Sequence, residues 1–276
     1  MKIHRSILWL AAVPVLVSCG GPPAAAPVTA PPPVSVSPSA AAPPPSSSPA
    51  VPSAPPSPSR PVKGTPAKPG LDGSMVATGT PTVALTFDDG PDPVITPKLL
   101  DLLRANRLTA TFCLVGSRVK RYPELVARIA AEGHTLCNHS WDHAEFLYKG
   151  DDARIARDME RTSAAIRKAA PGAPVRYFRA PYGNFTPRVI GVAKRLNMIP
   201  LGWNVDDQCY ASSRYGTGAA MVRHMSTRVR RDTKPGSVIL SHDLGKPQTL
   251  VAYKQLLPWL RGHFDVAALP ADPPAA

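Results

Sequence analysis

Two adjacent carboxylates, Asp88 and Asp89, follow the apolar run 83–85 and precede Gly90 and Pro91. Neighbouring side chains on a strand point to opposite faces, whereas a Gly-Pro turn can break this alternation and let both carboxylates reach one cavity. An Asp-Asp-Gly turn exposed to solvent has the same pattern, and the pair alone does not separate the two interpretations. Other polar residues of the chain supply what a metal site would need.

His139 and His143 are four positions apart. On a helical turn they would share a face and could bind one metal ion. Ser140 stands where the zincin motif carries its glutamate base, so any base must come from elsewhere. Asp89 could complete a two-histidine, one-carboxylate set that leaves a position for water, as a catalytic site requires. Two histidines at this spacing are also common as ordinary core or surface residues.

Arg179 and His242 each end a further apolar run. The guanidinium of Arg179 could hold a carboxylate bidentately and keep it ionised. Tyr182 follows Pro181, whose restricted geometry could aim the next backbone N–H at an oxyanion. His242 would lie at a strand end beside the apolar side chain of Leu240, although a lone histidine there is more often structural.

From residue 82, short apolar runs alternate with amphipathic segments. Strands are predicted at 82–86, 109–115, 134–137, 175–179, 198–203, 237–241 and 264–267, and helices at 96–105, 123–131, 152–169, 186–196, 217–231 and 247–260. Two helices are expected to begin with an N-cap threonine and a proline, at Thr96 and Thr186. The alternation predicts an α/β fold with a parallel sheet, open or closed into a barrel, and places the chemistry at the carboxyl ends of the strands.

Four segments together resemble the motifs of the polysaccharide deacetylase family, also called the NodB-homology or carbohydrate esterase family 4 group. They are TFDDGP at 86–91, H-S-x-x-H at 139–143, R-x-P-Y at 179–182 and L-x-H at 240–242. The resemblance covers roughly residues 82–268. It implies a distorted (β/α)7-type barrel and metal-dependent removal of N-acetyl, sometimes O-acetyl, groups from polysaccharides.

The resemblance also implies roles for individual residues. Asp89, His139 and His143 would bind the metal, Zn²⁺, Co²⁺ or another divalent ion. Asp88 would be the general base, held by Arg179.

The remaining implied roles concern the substrate. The Tyr182 backbone N–H would stabilise the oxyanion, and His242 would protonate the leaving amine, because amide hydrolysis needs a separate acid. Residues expected to line the acetyl pocket or stack on a sugar are Leu240, Pro181, Trp203, Tyr210 and Tyr182; Trp141 is a further stacking candidate, and the aromatic residues could equally be core packing.

One motif departs from the family pattern, which has Asp-x-x-Asp-Trp after the fifth strand. Here Asp206 matches the first aspartate, whereas Cys209 and Tyr210 replace the second aspartate and the tryptophan. The second aspartate normally orients the acid histidine, and a thiol lacks its charge unless it is ionised. We therefore expect either that Asp206 or Asp207 takes over this role, or that activity is reduced or shifted in substrate.

The other cysteines fall on predicted strands. Cys113 and Cys137 would lie on neighbouring strands of a sequential parallel sheet, and exported proteins can form disulfides. A bridge between them and a pair of buried thiols remain equally open.

The amino terminus resembles a lipoprotein leader. Lys2 and Arg5 precede the apolar run 7–17, which is too short to span a bilayer and is typical of a secretory signal. The following Cys19 completes a lipobox-like segment, which implies cleavage after residue 18, lipidation of Cys19 and anchoring to the outer face of the cell membrane, facing the wall. An ordinary secreted protein is the alternative.

Residues 19–81 are rich in Pro, Ala and Ser, with 19 of the 35 prolines between 20 and 81. This composition predicts a disordered linker with polyproline II bias, followed by a domain at 82–268 and a tail at 269–276.

The net charge of +13 favours anionic partners, although the basic residues could also form a solvated surface that has no partner. The sequence lacks the basic and aromatic patterns of nucleic-acid binding, so a wall polymer or a membrane surface is the better candidate for an anionic partner.

The leading functional hypothesis is a monomeric, metal-dependent N-deacetylase acting on cell-wall or chitin-like N-acetylglucosamine polysaccharides. An O-acetyl esterase of the acetylxylan type is nearly indistinguishable by sequence. The third hypothesis is a catalytically weakened wall-binding homologue, which only the altered motif around Cys209 supports.

Overall fold

The computed structural model describes residues 73–273. The predicted signal peptide, Cys19 and residues 19–72 of the predicted linker lie outside the described residues. Among the helices of residues 73–273, none combines the length and the apolar content needed to cross a bilayer.

Within residues 73–273 one parallel sheet contains every strand. The strands are β1 (Val83–Asp88), β2 (Thr111–Leu114), β3 (Thr135–Asn138), β4 (Tyr177–Phe178), β5 (Ile199–Pro200), β6 (Val205–Asp206), β7 (Val238–His242) and β8 (Val266–Ala267). Their order is β5-β4-β3-β2-β1-β7-β6, and β8 pairs with β1. The sheet curls into an open half-barrel, which confirms the predicted α/β fold. Among these strands, β6 was not predicted.

Helices cover the outside of the sheet. They are α1 (Ile95–Asn106), α2 (Gly116–Arg121), α3 (Pro123–Ala131), α4 (Asp152–Ala169), α5 (Pro187–Arg195), α6 (Ser212–Tyr215), α7 (Gly218–Asp232) and α8 (Pro247–His263), and short 3₁₀ turns cover Leu147–Lys149 and Pro181–Gly183. Thr186 caps α5 as predicted, because its side chain accepts a hydrogen bond from the N–H of Val189. The predicted cap at Thr96 is wrong, since α1 begins one residue earlier, at Ile95.

Strand β1 is the centre of the sheet and is buried along its whole length. Its alternate residues Val83, Leu85 and Phe87 pack into the core shared with α1 and α8. Because side chains alternate across a strand, Thr86 and Asp88 face the opposite side, inside the half-barrel. This alternation brings the last carboxylate of the strand to the inner rim.

Packed residues lie on both sides of the predicted domain range 82–268. Met75 and Ala77 form bridges to Leu201 and Ser237, so the packed chain begins before residue 82. At the other end, Leu269 is buried in the same inner cluster as Met75 rather than in a tail. Single backbone bridges such as these leave no periodic sequence pattern.

Cys113 and Cys137 lie directly opposite each other on β2 and β3. Their Cα atoms are 4.2 Å apart, and the structure joins their sulfur atoms in a disulfide. Cys209 is buried and free.

Candidate metal and catalytic site

The two carboxylates reach one cavity because the backbone turns at Asp89. Asp88 is the last residue of β1, and Asp89 has a φ of 76°. This left-handed conformation is uncommon for a residue with a Cβ atom, and it turns the Asp89 side chain away from the alternation of the strand. The expected convergence is therefore present, although the turn occurs one residue before Gly90.

His139 and His143 lie in the loop after β3, so the interpretation of their spacing as a helical turn is wrong. Ser140 and His143 have φ values of 62° and 53°. The hydroxyl of Ser140 accepts a hydrogen bond from the N–H of His143, which closes the loop. The two imidazoles end with their ring centroids 4.9 Å apart.

Three atoms of this site have the spacing of ligands around one ion. Oδ1 of Asp89 lies 3.4 Å from Nε2 of His139 and 3.3 Å from Nε2 of His143. Tetrahedral bonds of the usual zinc lengths would separate such ligands by about 3.4 Å. Within residues 73–273 this buried Oδ1 has no hydrogen-bond donor. The donor set and its spacing therefore fit a divalent metal.

The second nitrogen of His139 fixes the ring. Nδ1 lies 2.8 Å from the carbonyl oxygen of Arg179, so Nδ1 carries the proton and leaves the lone pair of Nε2 free for a metal. Burial alone would lower the pKa of His139, but the charges of Asp88 and Asp89 raise it. Burial would raise the pKa of Asp89, but the His139, His242 and His143 rings hold it below its usual range. The cluster thus favours a positive charge at its centre.

Arg179 holds the carboxylate of Asp88 in place. Its side chain is fully buried and donates to Oδ1 of Asp88 over 2.7 Å and to the hydroxyl of Thr86 over 2.7 Å. The remaining donors reach the carbonyl oxygens of Leu201 and Gly202. Oδ2 of Asp88 lies 3.6 Å from Nε2 of His139. One oxygen of Asp88 is therefore held by the guanidinium, and the other faces the candidate metal position.

A cavity of about 440 Å³ contains this cluster. Its lining includes Asp88, Asp89, His139, His143, Ala180, Tyr182, Gly183, Trp203, Tyr210, Leu240, His242 and Lys246. Most of the predicted pocket residues are thus brought together. Sequence reasoning missed Ala180, Gly183 and Lys246, and only the adjacency of the first two to the 179–182 motif could have indicated them.

Two predicted pocket residues lie elsewhere. Pro181 is buried and lines a separate small cavity beside Leu147 and Tyr148 rather than the main one. Trp141 is nearly buried, with the Arg161 guanidinium 3.5 Å from its ring centroid. Trp141 therefore packs against Arg161 and does not line the main cavity.

On the other side of the cavity, His242 ends β7, directly opposite Asp88 in the register of β1 and β7. Sγ of Cys209 lies 3.2 Å from Nδ1 of His242. The ligand atoms of Asp207, Cys209 and His242 all lie within 4.8 Å of one another. Burial raises the pKa of the Cys209 thiol, and the charge of Asp207 raises it further, so the thiol is neutral.

The carboxylate that was expected to contact His242 acts on it only through another residue. Oδ1 of Asp207 accepts a hydrogen bond from the backbone N–H of Cys209, which places Asp207 behind the thiol. Asp206 instead accepts a 2.7 Å hydrogen bond from the hydroxyl of Tyr210. The atom that contacts Nδ1 is therefore a sulfur.

The chain resembles several known proteins. A family model described as polysaccharide deacetylase matches residues 76–200. A chitooligosaccharide deacetylase of Sinorhizobium fredii is 37% identical over 212 residues, which are 71% of this chain and 93% of that protein. A peptidoglycan-N-acetylglucosamine deacetylase of Bacillus cereus is 36% identical over 160 residues, 58% of this chain and 55% of that protein.

The fold is also similar to solved structures. The crystal structure of a peptidoglycan N-acetylglucosamine deacetylase in complex with a substituted benzamide matches with a TM-score of 0.63 and 31% identity, over 70% of this chain and 87% of that one. These similarities, together with the four motifs that meet at one cavity, show that the chain belongs to the polysaccharide deacetylase family.

Proposed function

We propose that the protein is a metal-dependent hydrolase that removes N-acetyl groups from N-acetylglucosamine polysaccharides. The observation that carries the proposal is the convergence of Asp89, His139 and His143 beside Asp88, with Asp88 held by a buried arginine. The names of the similar proteins, which include chitooligosaccharide and peptidoglycan deacetylases, support this substrate class.

The residues of the cavity can be assigned to the steps of amide hydrolysis. Asp89, His139 and His143 would hold a divalent ion, which would supply a Lewis acid and make a proton of water easier to remove near neutral pH. Asp88 takes that proton through the carboxylate oxygen that faces His139. Its other oxygen stays bound to Arg179, which holds the base in its orientation.

Residues of the opposite wall of the cavity stabilise the oxyanion and protonate the leaving group. The N–H of Tyr182 donates to the oxygen of the acetyl group as it gains negative charge. His242 donates its Nε2 proton to the leaving amine, so that the products are acetate and a free amino sugar. Leu240 and Trp203 line the cavity and would contact the acetyl methyl group.

The decisive experiment is acetate release by the purified protein. Chitooligosaccharides, peptidoglycan and acetylated xylan are compared with and without added zinc or cobalt, and Asp88→Asn is the matched control because it keeps the shape of the side chain. We expect metal-dependent release from the N-acetylated substrates that is lost in the control. Release from xylan alone would indicate the O-acetyl esterase, and no release by folded, metal-loaded protein would favour a wall-binding homologue.

We also propose, from the leader sequence alone, that the mature chain is exported and lipid-anchored through Cys19. Mass spectrometry of the amino-terminal peptide tests this proposal. A diacylated or triacylated Cys19 is expected, and an unmodified terminus produced by cleavage elsewhere would refute it.

A further inference from the structure

Lys246 brings to the cavity a positive charge that has no role in the proposed hydrolysis. It follows His242 by four residues and lines the same cavity. It is half-buried, and within residues 73–273 no carboxylate forms an ion pair with it. Its charge lowers the pKa of the Cys209 thiol, against the larger effect of burial.

The carboxylates in the cavity wall are already engaged. Asp88 is bound by Arg179, and Asp89 lies between the two histidines. Lys246 is therefore the lining residue whose full charge remains available to a ligand. Because a desolvated, unpaired charge is costly, a half-buried ammonium favours an anion at the edge of this cavity.

The backbone next to Lys246 supports the same sign of charge. Lys246 is the N-cap residue of α8, a helix of 17 residues with no acidic residue in its first turn. The N–H groups at such an end carry partial positive charge. Pro247 and Gln248, the next two residues, line a groove of about 730 Å³ between α7 and α8 that also contains Arg223 and Arg230. A polymer that extends past Lys246 would thus meet further cations.

We propose that Lys246 forms an anion subsite that binds a carboxylate on the sugar next to the reacting N-acetylglucosamine. The inference rests on the proposed function and selects among its substrates. Chitooligosaccharides are neutral, whereas the alternate sugars of peptidoglycan carry a lactyl group whose carboxylate is free wherever the stem peptide has been removed. The subsite therefore assigns acidic wall glycan, rather than chitin fragments, as the preferred substrate class.

The test compares one glycan with and without its charge. Peptide-free peptidoglycan strands with free lactyl carboxylates are compared with the same strands after the carboxylates are converted to amides. For the unmodified protein, kcat/KM is expected to be roughly twofold to fivefold higher on the charged strands, as for a partly exposed ion pair. This ratio should shrink in high salt, because screening weakens such contacts.

Lys246→Gln is expected to bring the ratio close to one, whereas Lys246→Arg should keep most of it. Lys254→Gln is the matched control, since Lys254 is an exposed lysine of the same helix and lines neither cavity. A ratio near one in the unmodified protein, or a ratio that survives in Lys246→Gln, would overturn the inference while leaving the deacetylase proposal intact.

Equilibrium binding separates the two proposals. The same strands are titrated into the Asp88→Asn protein, and binding is followed by calorimetry without any turnover. Tighter binding of the charged strands that depends on Lys246 supports the subsite, even if acetate release fails and the proposed reaction is wrong. Equal binding of charged and amidated strands, or no binding of either, contradicts it.

Discussion

Sγ of Cys209 lies 3.2 Å from Nδ1 of His242, in the position where the family resemblance implies a carboxylate. Asp207 is fully buried behind the thiol, and burial raises its pKa despite its hydrogen bonds. His242 is therefore oriented by a neutral group that is itself supported by a carboxylate. A thiol is a weak hydrogen-bond partner, so its hold on a positively charged imidazole is weaker than that of a carboxylate.

Cys209→Asp should therefore extend activity to higher pH. A carboxylate against Nδ1 stabilises the protonated imidazole, so the alkaline limb of the kcat profile is expected to move upward by about one pH unit. The new charge beside Asp207 should also lower stability by about 1–3 kcal/mol. The measurement is acetate release between pH 6 and pH 10, with urea unfolding of the same samples.

Cys209→Ala is the companion variant and should lower kcat without moving that limb upward. Superimposable profiles for Cys209→Asp and the unmodified protein would show that the group at position 209 does not act on His242.

Arg179→Lys should lower both the stability and the activity of the protein, although it conserves the charge. The guanidinium makes four hydrogen bonds, to Asp88, Thr86 and two backbone carbonyls, and an ammonium cannot reach them all. Leaving buried partners unpaired should cost about 3–5 kcal/mol in the free energy of unfolding. Urea denaturation measures this loss, with the exposed Arg195→Lys as control. A loss below 1 kcal/mol would contradict the structural role.

Removing the metal should lower the melting temperature, and restoring zinc should recover it, because a ligand that binds only the folded state stabilises it. In Asp89→Asn the response to zinc should be lost or shifted to concentrations at least about tenfold higher, since the amide lacks the anionic ligand. Asp272→Asn, at an exposed site, is the matched control. Equal zinc titrations for Asp89→Asn and the control would remove Asp89 from the metal site.

The sequence predicts the strands that carry several apolar residues and the motif residues at their ends. It does not predict how the loops bring these residues together. Asp89, Ser140 and His143 adopt left-handed backbone conformations without being glycine, and no composition pattern marks such positions. Lys246 lines the cavity directly after Gly245, whose φ is 61°, and spacing alone could not show this.

Asp243 provides a last prediction, on the pH dependence of stability. Its carboxyl is fully buried under the Asp-Asp turn, where a Cβ atom on Gly90 would come within 2.6 Å of both of its oxygens. Oδ2 accepts a hydrogen bond from the hydroxyl of Thr96. Burial raises its pKa from 3.8 to about 7, and the charges of Asp89 and Asp92 contribute.

A raised carboxyl pKa means that the folded protein holds this proton more tightly than the unfolded chain does. Asp243 therefore opposes folding progressively as the pH rises from about 4 to about 7, by at most about 4 kcal/mol. Asp243→Asn cannot ionise, and any cost of its buried amide is independent of pH. The free energy of unfolding of the variant minus that of the unmodified protein should thus increase from pH 4 to pH 7 and then level off. Urea titrations at each pH, in chelator, measure this difference, and a constant difference would show that Asp243 does not titrate in this range.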